Sequence, residues 1–272
     1  MKKTLKDLLV VCDIDNTLLT SEMQIPSCNV EMIRLFCALG GNFTIATGRT
    51  FDSAKQAVSE LEINAPAIVY GGAMSADLRS GQVLEQITIN RREARRLIDD
   101  VLSRFPKVGV EIMTAAGAIY VVNSSAYIEK HIQDENLTCY YAPLDEIDCE
   151  WLKVLFSDSP KMLQRISAFV ADRYYHELKP IMSNHIYYEI MPEKASKGEA
   201  LKTICRKMNF PLENTVAIGD YYNDIELMKT AGYSVAMGNA PTEVKLIANE
   251  ITGDCHDGGV ASYLYYLIKH YA

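Results

Sequence analysis

The sequence predicts an α/β protein in which a parallel-sheet core is interrupted by a second, smaller α/β domain. Three observations lead there. Short, continuously apolar runs alternate with helical periodicity through the first 82 residues, and the same rhythm resumes after residue 190. Runs of that kind suit strands covered on both faces, and strands separated by helices imply βαβ units. Between them, strands such as Val108–Met113 and His185–Ile190 alternate apolar and polar residues, the pattern of a sheet with one wet or ligand-facing side. The expected division is therefore 1–82 with 191–272 as the core and 83–190 as the insertion.

The elements follow in order. Leu8–Cys12 is a buried strand that runs into Asp13. A turn-rich loop reaches Pro26–Ser27, and a helix then carries Val30, Ile33 and Phe36 on one face before Gly40–Gly41 stops it. Phe43–Ala46 is a second buried strand, ending at Thr47-Gly48-Arg49, where a helix with Phe51, Ala54, Val58 and Leu61 begins. Ala67–Tyr70 reads as a third core strand stopped by Gly71-Gly72. In the insertion, helical periodicity covers 91–105, 126–133 and 161–178. Afterwards Lys197–Met208 reads as a helix, Thr215–Ile218 as a strand, Ile225–Thr230 as a helix and Ser234–Met237 as a strand. A helix opened by Pro241 and a closing helix over Val260–Ile268 complete the chain.

Composition excludes several classes of function. The chain has 272 residues, of which 49% are hydrophobic and 23% charged, values typical of a globular protein. A net charge of −8 argues against a nucleic-acid partner. No apolar run approaches membrane-spanning length. The start, Met1-Lys2-Lys3-Thr4-Leu5-Lys6-Asp7, faintly resembles a leader segment, but Lys6 and Asp7 interrupt it, so a cytoplasmic protein is expected. Seven dispersed cysteines without a CxxC pair read as reduced thiols. Cys255-His256 is the one adjacent soft pair, and no second pair completes a tetrahedral site.

Chemistry concentrates at four element termini. Asp13 and Asp15 end the first strand, and two close carboxylates must share a proton or a cation. A turn is the competing reading, since Asp and Asn side chains bond nearby backbone. Thr47, Gly48 and Arg49 end the second strand, where Thr47 could equally be a helix cap. Lys197 opens a helix in Ser196-Lys197-Gly198. A cation there opposes the helix dipole by roughly 0.3–1 kcal/mol, which an anionic ligand would offset; Lys194 is its rival. Asp220, Asn223 and Asp224 follow the Thr215 strand, as a metal-binding group or as a solvated turn with a cap. In a parallel sheet all these ends share one edge. Several carboxylates gathered there call for a hard cation, and oxygen donors favour Mg²⁺.

This set, in this order, resembles the haloacid dehalogenase superfamily, and most of all its Cof-type branch. The resemblance rests on Asp13-Ile14-Asp15-Asn16-Thr17, Thr47, Lys197 and the late Asp220/Asp224 pair, and it covers nearly the whole chain. It implies a Rossmann-like core with the insertion as a cap. It also implies a Mg²⁺-dependent phosphatase acting on a small phosphorylated metabolite. Asp13 would be the nucleophile that becomes an aspartyl-phosphate, and Asp15 the general acid and then base. Thr47, Gly48, Arg49 and Lys197 would hold phosphate. Magnesium would sit on Asp13, the Asp15 carbonyl and Asp220, supported by Asn223 or Asp224.

Two positions depart from the family pattern. Asn16 stands where the family has Gly, and Asn is the next residue best able to adopt positive φ. Gly71-Gly72-Ala73 stands where Asn-Gly-Ala is usual, which removes an amide. A sugar-phosphate mutase and a non-catalytic binding protein are the competing functions. The histidines lie outside the motifs and read as surface or packed residues. Tyr120, Tyr187 and Tyr188 are candidate substrate contacts on strands of the insertion.

Overall fold

The computed structural model describes residues 3–272; Met1 and Lys2, part of the stretch weighed as a leader, lie outside the described residues. The chain forms two compact units. The first runs to Arg49, resumes over Ala54–Glu85 and returns over Ser196–Ala272; the second holds Thr50–Ser53 and Gln86–Ala195.

In chain order the first unit begins with β1 (Leu9–Cys12), α1 (Ser27–Ala38), β2 (Asn42–Ile45), α2 (Phe51–Ala57), β3 (Ala67–Val69), β4 (Met74–Ala76) and β5 (Val83–Gln86). The insertion follows with α3 (Arg91–Arg104), β6 (Gly109–Thr114), β7 (Ile119–Asn123), α4 (Ala126–Asp134), β8 (Cys139–Tyr141), β9 (Trp151–Ser157), α5 (Pro160–Ala171), β10 (Leu178–Asn184) and β11 (Tyr187–Pro192). The first unit is completed by α6 (Lys197–Met208), β12 (Thr215–Gly219), α7 (Ile225–Thr230), β13 (Tyr233–Ala236), α8 (Thr242–Ile247), β14 (Glu250–Ile251) and α9 (Gly259–Tyr271).

The core sheet is wholly parallel in the order β14-β13-β12-β1-β2. β1 lies between β12 and β2, so all four of its residues are buried, which explains the unbroken apolar run. Leu9 and Val11 face one cluster with Leu201 and Ile204 of α6, Leu227 of α7 and Val244 of α8. Alternation turns Val10 and Cys12 the other way. α1 packs against β2 and α9, with the buried Asn29 side chain accepting the Ala261 N–H at 2.9 Å.

The third expected core strand lies parallel to the end of β2, through the bridge Ala46–Ile68 and the Thr47 N–H, which donates to the Ile68 carbonyl at 2.9 Å. On its other side β3 pairs antiparallel with β4, in the sheet β3-β4-β5. The cause is local: Tyr70 at φ 50, Gly71 at φ 64 and Gly72 at φ 100 reverse the chain, and β4 returns along β3. The expected boundary between residues 82 and 83 falls at the start of β5, and the first unit continues to Glu85.

The inserted sheet has the order β10-β11-β9-β6-β7-β8. One face, with Val110, Ile112, Val154, Phe156, Tyr188 and Ile190, packs on Leu97, Ile98 and Val101 of α3 and Leu163, Ile166 and Val170 of α5. Spacings of three and four put those residues on single helix faces. The helix expected over 161–178 ends at Ala171, and Leu178 lies instead in β10, opposite Pro192.

The alternate positions of the inserted strands carry buried charge. The Lys153 ammonium donates to Glu189 Oε1 at 2.9 Å. The His131 ring of α4 lies between Glu111 Oε2 (Nδ1, 2.7 Å) and Glu135 Oε1 (Nε2, 3.3 Å). Among the described residues no helix is long and apolar enough to cross a membrane.

Burial alone would lower the His131 pKa, but the two carboxylates outweigh it and raise it from 6.5 to about 9. A raised base stabilises the fold fully below its unfolded value, and the contribution disappears as pH rises through its folded value. The stability gap between the native chain and His131→Gln, from denaturant midpoints, should therefore narrow steadily from about pH 6.5 to about pH 9. A gap that stays constant over that range would contradict this linkage.

Candidate active site

The site forms where parallel strands end. The β1–β12 register pairs Cys12 with Ile218, and the Asp13 N–H donates to the Ile218 carbonyl at 2.9 Å. Asp13 thus lies beside Gly219, and Asp220 is the next residue of that neighbouring strand end. On the other side Cys12 pairs with Ile45, so Ala46 and then Thr47 continue past the same edge.

After Asp13 the chain coils back on itself, the Ile14 carbonyl accepting the N–H groups of Leu18 at 2.9 Å and Leu19 at 2.8 Å. Asn16 has φ 56, the conformation for which a Gly would ordinarily be used. The turn delivers Thr17 into the interior, where its hydroxyl donates to Asp220 Oδ1 at 3.0 Å. Thr17 was legible only as part of the Asp-x-Asp-x-Thr pattern; its role in orienting Asp220 depends on a partner 203 residues away.

Lys197 is the electrostatic centre. Ser196 caps α6, its hydroxyl accepting the Glu199 N–H at 3.1 Å, and this fixes Lys197 in the first turn. The Lys197 ammonium donates to Asp13 Oδ1 at 2.5 Å and Asp224 Oδ1 at 2.6 Å, with all three side chains buried. Lys194, the rival cation, is exposed. Asp224 spends its other oxygen on the backbone N–H groups of Asp220 (3.1 Å) and Tyr221 (3.2 Å), so it braces the loop that carries Asp220.

Two glycines make room for this arrangement. A Cβ on Gly219 would come within 2.6 Å of the Asp224 carboxylate, and one on Gly72 would collide with the Ser196 carbonyl and the Lys197 nitrogen. Neither was singled out as functional in the sequence. The signal was a glycine directly before Asp220 and another at the strand reversal.

Burial, then the charges of Asp224, Asp220 and Asp15, push the Asp13 carboxyl well above its ordinary value, and Lys197 opposes them. Burial and Asp224 likewise raise Asp220, to about 7, against the Thr17 hydrogen bond. Burial pulls the Lys197 ammonium down, yet Asp13 and Asp224 more than reverse this, so it stays charged. The cluster holds more negative charge than its cations neutralise.

Oxygens of Asp13, Asp220 and Asp224 lie within 4.8 Å of one another. Asn223 adds a buried Oδ1 with no hydrogen-bond donor. With the second oxygens of Asp13 and Asp220 not used by Lys197 or Thr17, this donor set fits a hard divalent cation.

Asp15 stands apart from that cluster. Arg49 grips it in a fork, Nη2 to Oδ1 at 2.7 Å and Nε to Oδ2 at 3.0 Å. The guanidinium is buried and the carboxylate half exposed. Thr47, also buried, accepts the Arg49 N–H at 3.1 Å through its hydroxyl, and half-buried Gly48 lies between them. Thr47 therefore does not cap α2; the Thr50 hydroxyl accepts the Ser53 N–H at 3.3 Å instead. In the insertion, Tyr188 is a core residue and the partly buried Tyr120 packs against that core; Tyr187 sits against the His131 ring at 5.1 Å.

Comparison with known proteins places the chain in a family. Residues 10–264 match the sequence model of the haloacid dehalogenase-like hydrolases. A putative phosphatase of Streptococcus pyogenes is 29% identical over 93% of this chain and 95% of its own length. The pyridoxal phosphate phosphatase of Escherichia coli is 28% identical, with 94% and 97% covered. The structure of a haloacid dehalogenase-like hydrolase from B. subtilis, 26% identical, superposes with a TM-score of 0.85 over 95% of this chain and 99% of that one.

The close approach of Gly72 to α6 makes a specific demand on stability. Gly72→Ala should cost more than Gly81→Ala, which also has positive φ but open space around it. The shared backbone strain is about 1–3 kcal/mol, and only Gly72→Ala adds a backbone collision. Equal denaturant midpoints for the two variants would show that the contact with Ser196 and Lys197 is unimportant.

Proposed function

The chain belongs to the haloacid dehalogenase-like hydrolases and is a phosphatase, and from this premise we propose that it hydrolyses small phosphomonoesters, sugar phosphates or similar metabolites, through an aspartyl-phosphate on Asp13 with Mg²⁺ as cofactor. The observation that carries the reading is the Lys197 ammonium held between Asp13 and Asp224 at the sheet edge, beside Asp220. That arrangement sets a cation against the buried nucleophile, favouring its ionised form against burial and the neighbouring carboxylates, and surrounds it with groups suited to a phosphoryl dianion.

Asp13 attacks phosphorus and the ester P–O bond breaks, its electron pair leaving with the alkoxide. Asp15 gives that oxygen its proton. The ionised Asp15 then takes a proton from a water molecule that attacks the acyl phosphate. The bond between phosphorus and Asp13 breaks, inorganic phosphate leaves and the Asp13 carboxylate is restored. Two displacements replace one difficult hydrolysis.

Arg49 has a second part in this scheme. While it grips Asp15, its N–H groups occupy both carboxylate oxygens. An incoming phosphate competes for the guanidinium, whose fork matches phosphate oxygens as well as carboxylate. Passing Arg49 to the substrate frees the Asp15 oxygens to meet the leaving group. The Thr47 hydroxyl, which accepts from Arg49, keeps its own hydrogen to donate to a phosphoryl oxygen, and Gly48 lets that oxygen approach the backbone. Lys197 answers the charge on the others.

Mg²⁺ would be held by Asp13, the Asp15 carbonyl and Asp220, with Asn223 and Asp224 in support, and would neutralise charge on the phosphoryl oxygens. Chelation should accordingly abolish phosphate release and added Mg²⁺ restore it, while Asp220→Ala should shift the Mg²⁺ requirement to much higher concentration. Full turnover in exhaustively chelated protein would end the metal assignment.

The substrate class rests on the pyridoxal phosphate phosphatase among the relatives and is tested by a panel of phosphorylated sugars, nucleotides and cofactors read as released phosphate. Asp13→Asn should lose turnover without loss of fold. Asp15→Asn should lose about 10²–10⁴-fold on alkyl phosphates, and less on p-nitrophenyl phosphate, whose leaving group needs no proton. An equal loss on both esters would remove the acid role from Asp15.

A further inference from the structure

We propose that Asp254, Cys255 and His256 form a binding site for a divalent transition metal of the zinc class, separate from the all-oxygen cluster at Asp13. These residues occupy the turn between β14 and α9. Consecutive side chains normally point apart, but here the Asp254 carbonyl accepts the N–H groups of Asp257 at 3.1 Å and Gly259 at 3.0 Å, so the chain folds sharply over them. The Cys255 N–H donates to Asn239 Oδ1 at 3.1 Å, which fixes the buried thiol.

The resulting geometry is close to one face of a metal tetrahedron. Cys255 Sγ is 3.4 Å from His256 Nδ1 and 3.5 Å from Asp254 Oδ1, and Nδ1 is 2.9 Å from Oδ1. Tetrahedral zinc with ordinary bond lengths has ligand–ligand edges of about 3.3–3.7 Å. Both edges to sulfur already match, and the remaining one has to open by a few tenths of an ångström.

The far side of the imidazole supplies an independent indication. His256 Nε2 lies 3.0 Å from the Ser21 hydroxyl and 3.3 Å from Glu22 Oε2, on a separate loop. A metal-bound histidine ordinarily donates its other ring N–H to such a carboxylate, which orients the ring and strengthens it as a ligand. With Nε2 carrying the proton, the Nδ1 lone pair faces Cys255 and Asp254.

Without a metal, protons occupy that centre. The thiol donates to Asp254 Oδ1, and the ring nitrogen lies 2.9 Å from the same oxygen. A divalent ion displaces the thiol proton and gains a thiolate, an imidazole and a carboxylate, with a fourth position open to water. Thiolate and imidazole donors select zinc-like ions over Mg²⁺. In the sequence this pair was set aside because no second soft pair accompanied it; the fold supplies the missing donor from the preceding residue.

The test is titration of the full-length, chelator-treated protein with Co²⁺ in excess Mg²⁺. One equivalent should produce a thiolate-to-cobalt charge-transfer band in the near ultraviolet with tetrahedral d–d absorption, and Zn²⁺ should bleach both. Cys255→Ser should abolish the charge-transfer band. His256→Gln, at an exposed position that leaves folding intact, should weaken Co²⁺ binding at least tenfold, and Glu22→Gln about 10–100-fold. Absence of the band at one equivalent, or unchanged Co²⁺ affinity in His256→Gln, would overturn the proposal.

Discussion

The ammonium of Lys197 between Asp13 and Asp224 is the contact on which the catalytic end of the molecule depends. All three groups are buried, so each charge has left water at a cost that only close pairing offsets. Removing the cation would leave carboxylates in a dry pocket, the situation in which breaking a buried pair costs about 3–5 kcal/mol. Lys197 therefore supports the fold at the strand ends and opposes the burial and neighbouring charge that favour the protonated nucleophile.

Backbone geometry is arranged around that contact. Gly219 lets β12 end against the Asp224 carboxylate, and Gly72 lets the strand reversal touch the start of α6. Asp224 holds two backbone N–H groups of the loop that presents Asp220, and Thr17 orients Asp220 from the opposite strand end. The catalytic residues come from four chain segments. Asp15 is held differently, by a partly exposed ion pair with Arg49. Exposed pairs contribute little to stability and exchange readily, which suits a group that must change partner and protonation state.

The insertion solves its own charge problem without sharing any of these residues. Its helices cover one face of the sheet with an apolar cluster, and its buried ionisable groups are confined to the alternate positions. Lys153 with Glu189, and His131 with Glu111 and Glu135, are paired within that unit. Pairing these groups within the insertion gives that unit its own core and its own pH response.

The sequence by itself determined the α/β class, the buried strands on either side of the site, most helix limits and the order of the site motifs. Those follow from local physics: apolar periodicity, turn residues with positive φ such as Asn16, and caps such as Ser196. The tertiary structure alone decided which partners those residues meet. It buried Lys197 and left Lys194 exposed, placed Leu178 in the inserted sheet opposite Pro192, and brought Thr17 to Asp220. Each outcome depends on register and burial set by distant segments, and no local pattern encodes the solvent exposure or the charge that a side chain will find there.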